Sequence, residues 1–360
     1  MEKQIVRIGM GIALVVVFLL HAAKWIELPL IQRLEAIVYD TRLSLTMPRT
    51  LDPRIVILDI DEKSLAEKEK GGEGRWPWPR DRLALMLDKL FDHYHIAIVG
   101  FDVAFAERDE SSGLRVLEQL AQKELREVGG FQSALQRLQP QLDYDAIFAN
   151  RMRNRAVVLG YTFTRDDEKA GTKKGLLPSP VLAPGTFAGK NIAFPAYPSH
   201  TANLQLLQES AASGGHFTLD PDPDGILRRI PMLAEHGGAY YEPLSLAIVR
   251  MLLGGAQLVP GYPSDKIWSK NYSGLEWIEV GPVKVPVDEL VTALIPYRGK
   301  GGREGKSFKY VSAVDVINER AELDELKGKI VLVGTTAPGD RKSTRLNSSH
   351  TDISRMPSSA

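Results

Sequence analysis

Arg54-Ile55-Val56-Ile57-Leu58-Asp59-Ile60-Asp61 is the stretch that decides the fold class. Its four consecutive apolar residues, Ile55 to Leu58, leave neither face of a strand for water, so the segment reads as a strand buried on both sides. Ile96–Phe101, Ala156–Thr162 and Lys329–Val333 share that texture. Helical spacing falls between them, at Arg82–Phe91, Ser112–Glu127 and Tyr144–Asn150. Apolar strands alternating with helices predict an α/β fold with a mainly parallel or mixed sheet and flanking helices.

Outward from this centre the signals are local. A short helix over Leu34–Leu45 closes at Met47-Pro48. The run Gly74-Arg75-Trp76-Pro77-Trp78-Pro79-Arg80 is a stiff extended strut, because each proline fixes its own φ and restricts the residue before it. Asp81 follows as the expected cap of the helix Arg82–Phe91, whose Leu83, Leu87 and Leu90 share a face. The turn cluster Asp220-Pro221-Asp222-Pro223-Asp224-Gly225 leads into alternation over Ile226–Leu233, which reads as a hairpin. Leu244–Leu253 is a helix closed by Gly254-Gly255, and two strands around Ile278–Val285 turn at Gly281-Pro282.

Composition excludes several classes. At 360 residues the chain can bury a large core, and its zero net charge gives no basic footprint for nucleic acid. It has no cysteine, which removes disulfides, thiolate catalysis and cysteine-based zinc sites. Ile8 to Ala23 is uncharged, and with Trp25 and Ile26 the segment 8–26 approaches the ~20 residues of a membrane helix. It reads as an uncleaved signal anchor, since His21 is a poor first residue for the cleavage triplet ending at Ala23.

Candidate chemistry gathers at strand ends. Asp59 and Asp61 close the first buried strand and Asp102 closes another, at the edge where open α/β sheets bind ligands. Arg80 and Arg229 are the candidate anion partners. The plain alternative is that Asp59 and Asp61 cap a helix at Glu62–Lys68. The Asp-x-Asp opening is also similar to that of haloacid-dehalogenase-type phosphohydrolases, although Lys63 stands where that family has Thr or Val. In that alternative Thr335 supplies the phosphate-binding hydroxyl and Asp166-Asp167 the later acidic pair. Gly305-Lys306-Ser307 fails as a phosphate loop because Lys300 stands at the required glycine, so Gly299–Gly305 reads as a flexible basic loop. His93 and His95 make only a weak metal signal, and no cofactor is expected.

Taken in order, these pieces resemble the CHASE2 domain, an extracytoplasmic sensory module of bacterial membrane receptors. The resemblance rests on Asp40-Thr41-Arg42, on Val56 through Glu62 with Ser64-Leu65, on the Gly74–Arg80 strut, and on Val99-Gly100-Phe101-Asp102 with Phe105. It continues through Gly215-His216-Phe217, the Pro221–Gly225 turn, Arg228-Arg229, Tyr297-Arg298-Gly299 and Gly328 to Gly339. Pro296 stands where the family often has Asn. The resemblance implies a cytoplasmic segment 1–7, a transmembrane anchor 8–26 in the cytoplasmic membrane and an extracytoplasmic sensor domain over 30–340. It further implies a small-molecule ligand and a missing effector, an adenylate or guanylate cyclase or a protein kinase. Receptors of this architecture commonly form homodimers. Residues 341–360, with six serines and a net charge of +3, break the pattern. Stretches 342–350 and 354–360 resemble a translated sequencing-library adapter, so the natural chain is expected to continue past Asp340.

Overall fold

The computed structural model describes residues 2–23, 25–26, 28–165, 172–263, 274–305 and 307–336. Helix α1 (Glu2–Ala22) is fully apolar along its centre and exposed, and by length and composition it can cross a membrane. Helix α2 (Pro29–Thr46) starts on Pro29, where a missing N–H costs nothing. Strand β1 (Asp52–Ile60) then enters the body.

The body is a mixed α/β fold around one mainly parallel sheet. After β1 come α3 (Arg80–Asp88), β2 (Ile98–Phe101), α4 (Leu114–Gln122), α5 (Gly129–Leu142), α6 (Tyr144–Met152) and β3 (Val157–Thr164). Next are β4 (Lys173–Lys174), β5 (Ser199–Thr201), α7 (Gln205–Ser210), β6 (Ser213–His216), β7 (Arg229–Pro231), β8 (Ala234–His236) and β9 (Ala239–Tyr241). The chain closes with α8 (Leu244–Leu252), β10 (Leu258–Gly261), β11 (Trp277–Val280), β12 (Val283–Pro286), β13 (Thr292–Leu294), β14 (Phe308–Ser312), α9 (Ala313–Ile317), α10 (Leu323–Leu326) and β15 (Ile330–Thr335). Strands β14, β1, β15, β2, β3 and β6 run parallel in that order, and β5 with β4 extends the far end of β3.

Both faces of this sheet are covered, as apolar strands require. On one face Val56, Leu58, Ile60, Val331 and Val333 pack with Leu83, Leu87 and Leu90, and with Phe148 and Met152 of α6. On the other, Leu244, Ala247 and Ile248 of α8 lie over Ile98, Val158, Ile330 and Leu332. Gly100 is required there, since a Cβ would sit 2.5 Å from the Ile248 side chain. A second core of Met232, Leu246, Ile278 and Val280 joins α8 to the three-stranded sheet β10–β11–β12.

Several local expectations are corrected. Asp81 caps nothing: α3 starts at Arg80, whose N–H donates to Asp109 Oδ2 at 2.6 Å. The segment 62–66 is turns rather than a helix, followed by one 3-10 turn at Lys68–Lys70. Residues 226–233 form no hairpin with each other, because β7 pairs with the distant β13 and the local hairpin is β8–β9. Helix α5 had no counterpart in the sequence reading.

One buried cation ties α2 to the body. Arg228, 5 % exposed, donates to both carboxylate oxygens of Asp40 on α2, at 2.8 and 2.7 Å. It also donates to Asp222 at 2.7 Å and Asp224 at 3.0 and 2.7 Å, so the Asp-Pro-Asp-Pro-Asp-Gly turn is a carboxylate cradle. Tyr39 of α2 adds a bond to the Ile295 carbonyl at 3.3 Å. Removing one partner of a buried ionic cluster leaves the others uncompensated, so Arg228→Ala should cost about 3 kcal/mol. The expected readouts are a lower thermal midpoint and faster amide hydrogen exchange across residues 29–46.

Candidate functional site

The carboxyl ends of β1, β14 and β15 open into a cleft of about 370 Å³ lined by Asp59, Asp61, Glu62, Lys63, Gly302, Arg303, Tyr310 and Thr336. Parallel pairing builds it. Asp59 stands opposite Ser312 of β14 and Gly334 of β15, so three strand ends deliver side chains to one place. Asp59 is 1 % exposed and accepts from Thr336, from its N–H at 3.1 Å and from its hydroxyl at 2.7 and 2.8 Å. Asp61 accepts from the Ser64 N–H at 2.9 Å, the Ser64 hydroxyl at 2.7 Å and the Ser312 hydroxyl at 2.8 Å.

The two carboxylates are electrostatically unlike. Burial pushes Asp59 above the usual carboxylate range, the Asp61 charge adds to this, and the Thr336 bonds only partly oppose it. Burial also pushes Asp61 up, but the bonds from Ser64 and Ser312 outweigh it and hold that group below its usual value. Arg303 closes the cleft. Its guanidinium is hydrogen-bonded to Asp61 and lies 3.7 Å from Asp59 Oδ2. The loop carrying it doubles back past Tyr310, whose hydroxyl accepts from the Gly302 N–H at 2.9 Å. Lys63 bonds both oxygens of Asp315, at 2.6 and 2.7 Å.

Of the residues singled out in the sequence, Asp59 and Asp61 meet in this cleft and the others lie elsewhere. Asp102 follows Phe101, which pairs with Val333, and its N–H bonds the Val333 carbonyl at 3.0 Å. It stands two strand spacings from Asp59, roughly 10 Å. Arg80 is committed to Asp145 and the Glu107 carbonyl, with its guanidinium 5.4 Å from the Phe105 ring centre. Arg229 pairs with Asp288 at 2.6 Å. The hydroxyl of Thr335 donates to the Ile60 carbonyl at 3.0 Å, so Thr336 is the residue that faces the carboxylates. Asp166, Asp167 and Lys306 lie outside the described residues. Among the described residues no group of three His, Asp or Glu side chains is placed to hold a metal ion.

Sequence reasoning missed Arg303, Thr336, Ser64 and Ser312 as contributors. Arg303 had a partial signal, the basic glycine-rich loop directly preceding the strand-like Phe308–Val311. Nothing in that loop says which strand it folds over.

Burial alone pushes the Asp102 carboxyl up to about 6. A carboxyl whose folded pKa is raised binds its proton more tightly in the fold. Its stabilising contribution is therefore full below pH ~4 and is lost as pH rises through about 6. Asp102→Asn, which cannot ionise, is expected to stabilise the domain at pH 8 by up to about 3 kcal/mol and to have little effect at pH 4, as read by thermal melts at both pH values.

No curated protein and no solved structure matches the chain. The family model of the CHASE2 domain matches residues 12–357, a span that begins within α1 and ends within the serine-rich segment beyond the described residues. That covers nearly the whole chain, with the strut, the strand-end carboxylates and the aspartate cradle all inside it: the chain belongs to the CHASE2 family of extracellular sensory domains found in signalling receptors.

Proposed function

We propose that this chain is the ligand-sensing, membrane-anchored part of a bacterial signal-transduction receptor. In this reading α1 holds the body outside the cytoplasmic membrane, and a small molecule binds in the cleft at Asp59 and Asp61. The effector, a cyclase or protein kinase, belongs to the complete receptor. Asp102, Arg80 and Arg229, also singled out in the sequence, do not line that cleft.

One observation carries the reading: the loop that closes the cleft is also bonded to the chain leaving the membrane-proximal helix. The Arg298 carbonyl accepts from the Arg49 N–H at 2.8 Å, and its guanidinium reaches the Thr50 carbonyl and hydroxyl at 3.3 Å each. Five residues further on, Arg303 sits on Asp61. A ligand that binds Asp59 and Asp61 must displace or recruit Arg303. It thereby acts on Arg298, on the exit of α2 and so on α1. Ligands shift such two-state equilibria only through differential affinity, and a displaceable in-chain cation supplies two states with different affinities.

The phosphohydrolase alternative draws on the convergence of Asp59 and Asp61. It is weakened by the commitment of Lys63 to Asp315 and of the Thr335 hydroxyl to Ile60. With 4-nitrophenyl phosphate and Mg²⁺ the sensor reading expects no turnover above that of Asp59→Asn. Coupling is tested by Arg303→Ala, with hydrogen exchange followed over residues 29–50. The expected result is an increase of at least fivefold around Arg49 and the α2 carboxyl end, absent in an Arg320→Ala control. Unchanged exchange there would contradict the coupling, and Asp59-dependent turnover would favour the enzyme.

A further inference from the structure

Away from the cleft, three fully enclosed side chains meet where β3, β6 and the amino end of α8 come together. Tyr161 and His216 are 0 % exposed and Glu242 is 5 % exposed. Tyr161 Oη, both ring nitrogens of His216 and Glu242 Oε2 have no hydrogen-bond partner. The three are neighbours. The rings of Tyr161 and His216 are 6.5 Å apart between centres, and the His216 N–H donates to the Glu242 carbonyl at 3.0 Å. The Glu242 charge also acts on Tyr161. Buried polar groups almost always find a partner, and each one left bare lowers the folding equilibrium constant about tenfold or more. Three adjoining residues that carry four such atoms call for a polar guest.

The donor set selects the guest. Tyr161 offers an O–H, His216 offers a lone pair on one nitrogen and Glu242 Oε2 offers a lone pair. An acceptor of one bond and donor of two fits this set, and buried water typically makes about three bonds. An anion is disfavoured by the Glu242 carboxylate. A metal ion is disfavoured because Glu242 Oε1 already holds Arg250, and because only one carboxylate oxygen remains. The backbone of Tyr241 acts on the His216 ring as well and slightly favours its protonated form.

We propose that Tyr161, His216 and Glu242 enclose an ordered water through which Glu242 exchanges its proton, making the seat of α8 on β6 responsive to pH. The titratable and charged groups around Glu242 are Tyr161 from β3, on which its charge acts, His216 from β6, bonded to its carbonyl, and Arg250 from α8, bonded to its carboxylate, with Tyr241 of β9 beside Tyr161. His216 stays neutral, because burial pushes it down to about 3, whereas burial pushes Glu242 up to about 7 against the pull of Arg250. Protonation of Glu242 removes the charge that holds Arg250, whose other bond goes to the Ala256 carbonyl at 2.9 Å. The seam is tight enough to transmit the change: a Cβ on Gly215 would lie 2.5 Å from the Leu244 Cα.

The test is nuclear magnetic resonance of the full chain in lipid nanodiscs with ¹⁵N-histidine, the His216 signals being assigned by their loss in His216→Asn. The expected result is a cross-peak between the His216 ring and a slowly exchanging water, with ring shifts that follow one titration between pH 6 and 8. That titration should vanish in Glu242→Gln while the water cross-peak persists. Tyr161→Phe should weaken the water cross-peak and lower the melting temperature. The proposal is overturned by absence of the water cross-peak, by a flat titration or one that survives Glu242→Gln, by a melting temperature raised in Tyr161→Phe, or by a stoichiometric metal ion in the purified chain.

Discussion

Strand β1 can pair only with strands made some 250 residues later in the chain, and the rest of the structure depends on that parallel pairing. β14 and β15 flank it on either side and satisfy both of its hydrogen-bonding edges, while helices cover its faces. Loop closure over such a distance must be offset by burial, which the unbroken apolar run Ile55–Leu58 provides. Once the register is set, its consequences are local. Asp59 meets Thr336, Asp61 meets Ser312, Lys63 meets Asp315, and Arg303 falls across the carboxylates. The cleft is a by-product of strand register, so whatever shifts β14 or β15 reshapes it.

A second constraint links that cleft to α2, the helix that follows the apolar α1. Helix α2 has no fully buried residue and is held by a few polar bonds: Arg228 to Asp40, Tyr39 to Ile295, and Arg49 to Arg298. A helix held by polar clasps rather than by a core can change its seat without unfolding the body. That suits an element standing between a sensor body and the apolar helix α1, since low-stability elements are the ones that move in switching.

The sheet was legible in the sequence because its strands are apolar on both faces, a pattern that neither loops nor surface helices share. Helix α5 was not, since it opens on Gly129-Gly130 and contains Pro140, which mask the helical spacing of Phe131, Leu135, Leu138 and Leu142. Strand β6 was also hidden, because Ser213-Gly214-Gly215-His216 has no strand propensity; Gly215 is there for the close approach of Leu244. The carboxylates of the cleft could be found from strand-end logic. Arg303 could not, since it arrives from 242 residues away through a glycine-rich loop. For the same reason Arg229 was singled out where Arg228 is the buried residue: neighbouring arginines look alike until the Asp40, Asp222 and Asp224 carboxylates are placed around one of them.

The sensor reading stands on the body lying across the membrane from the amino terminus, and the absence of native cysteine makes this directly measurable. Single cysteines would replace Val116, which is 58 % exposed on α4, and Lys3 at the start of α1. Each would then be challenged with a membrane-impermeant maleimide in intact bacterial spheroplasts. The account expects Val116→Cys to be labelled at once and Lys3→Cys only after the membrane is opened. The reverse pattern would place the body in the cytoplasm and contradict an extracytoplasmic sensor.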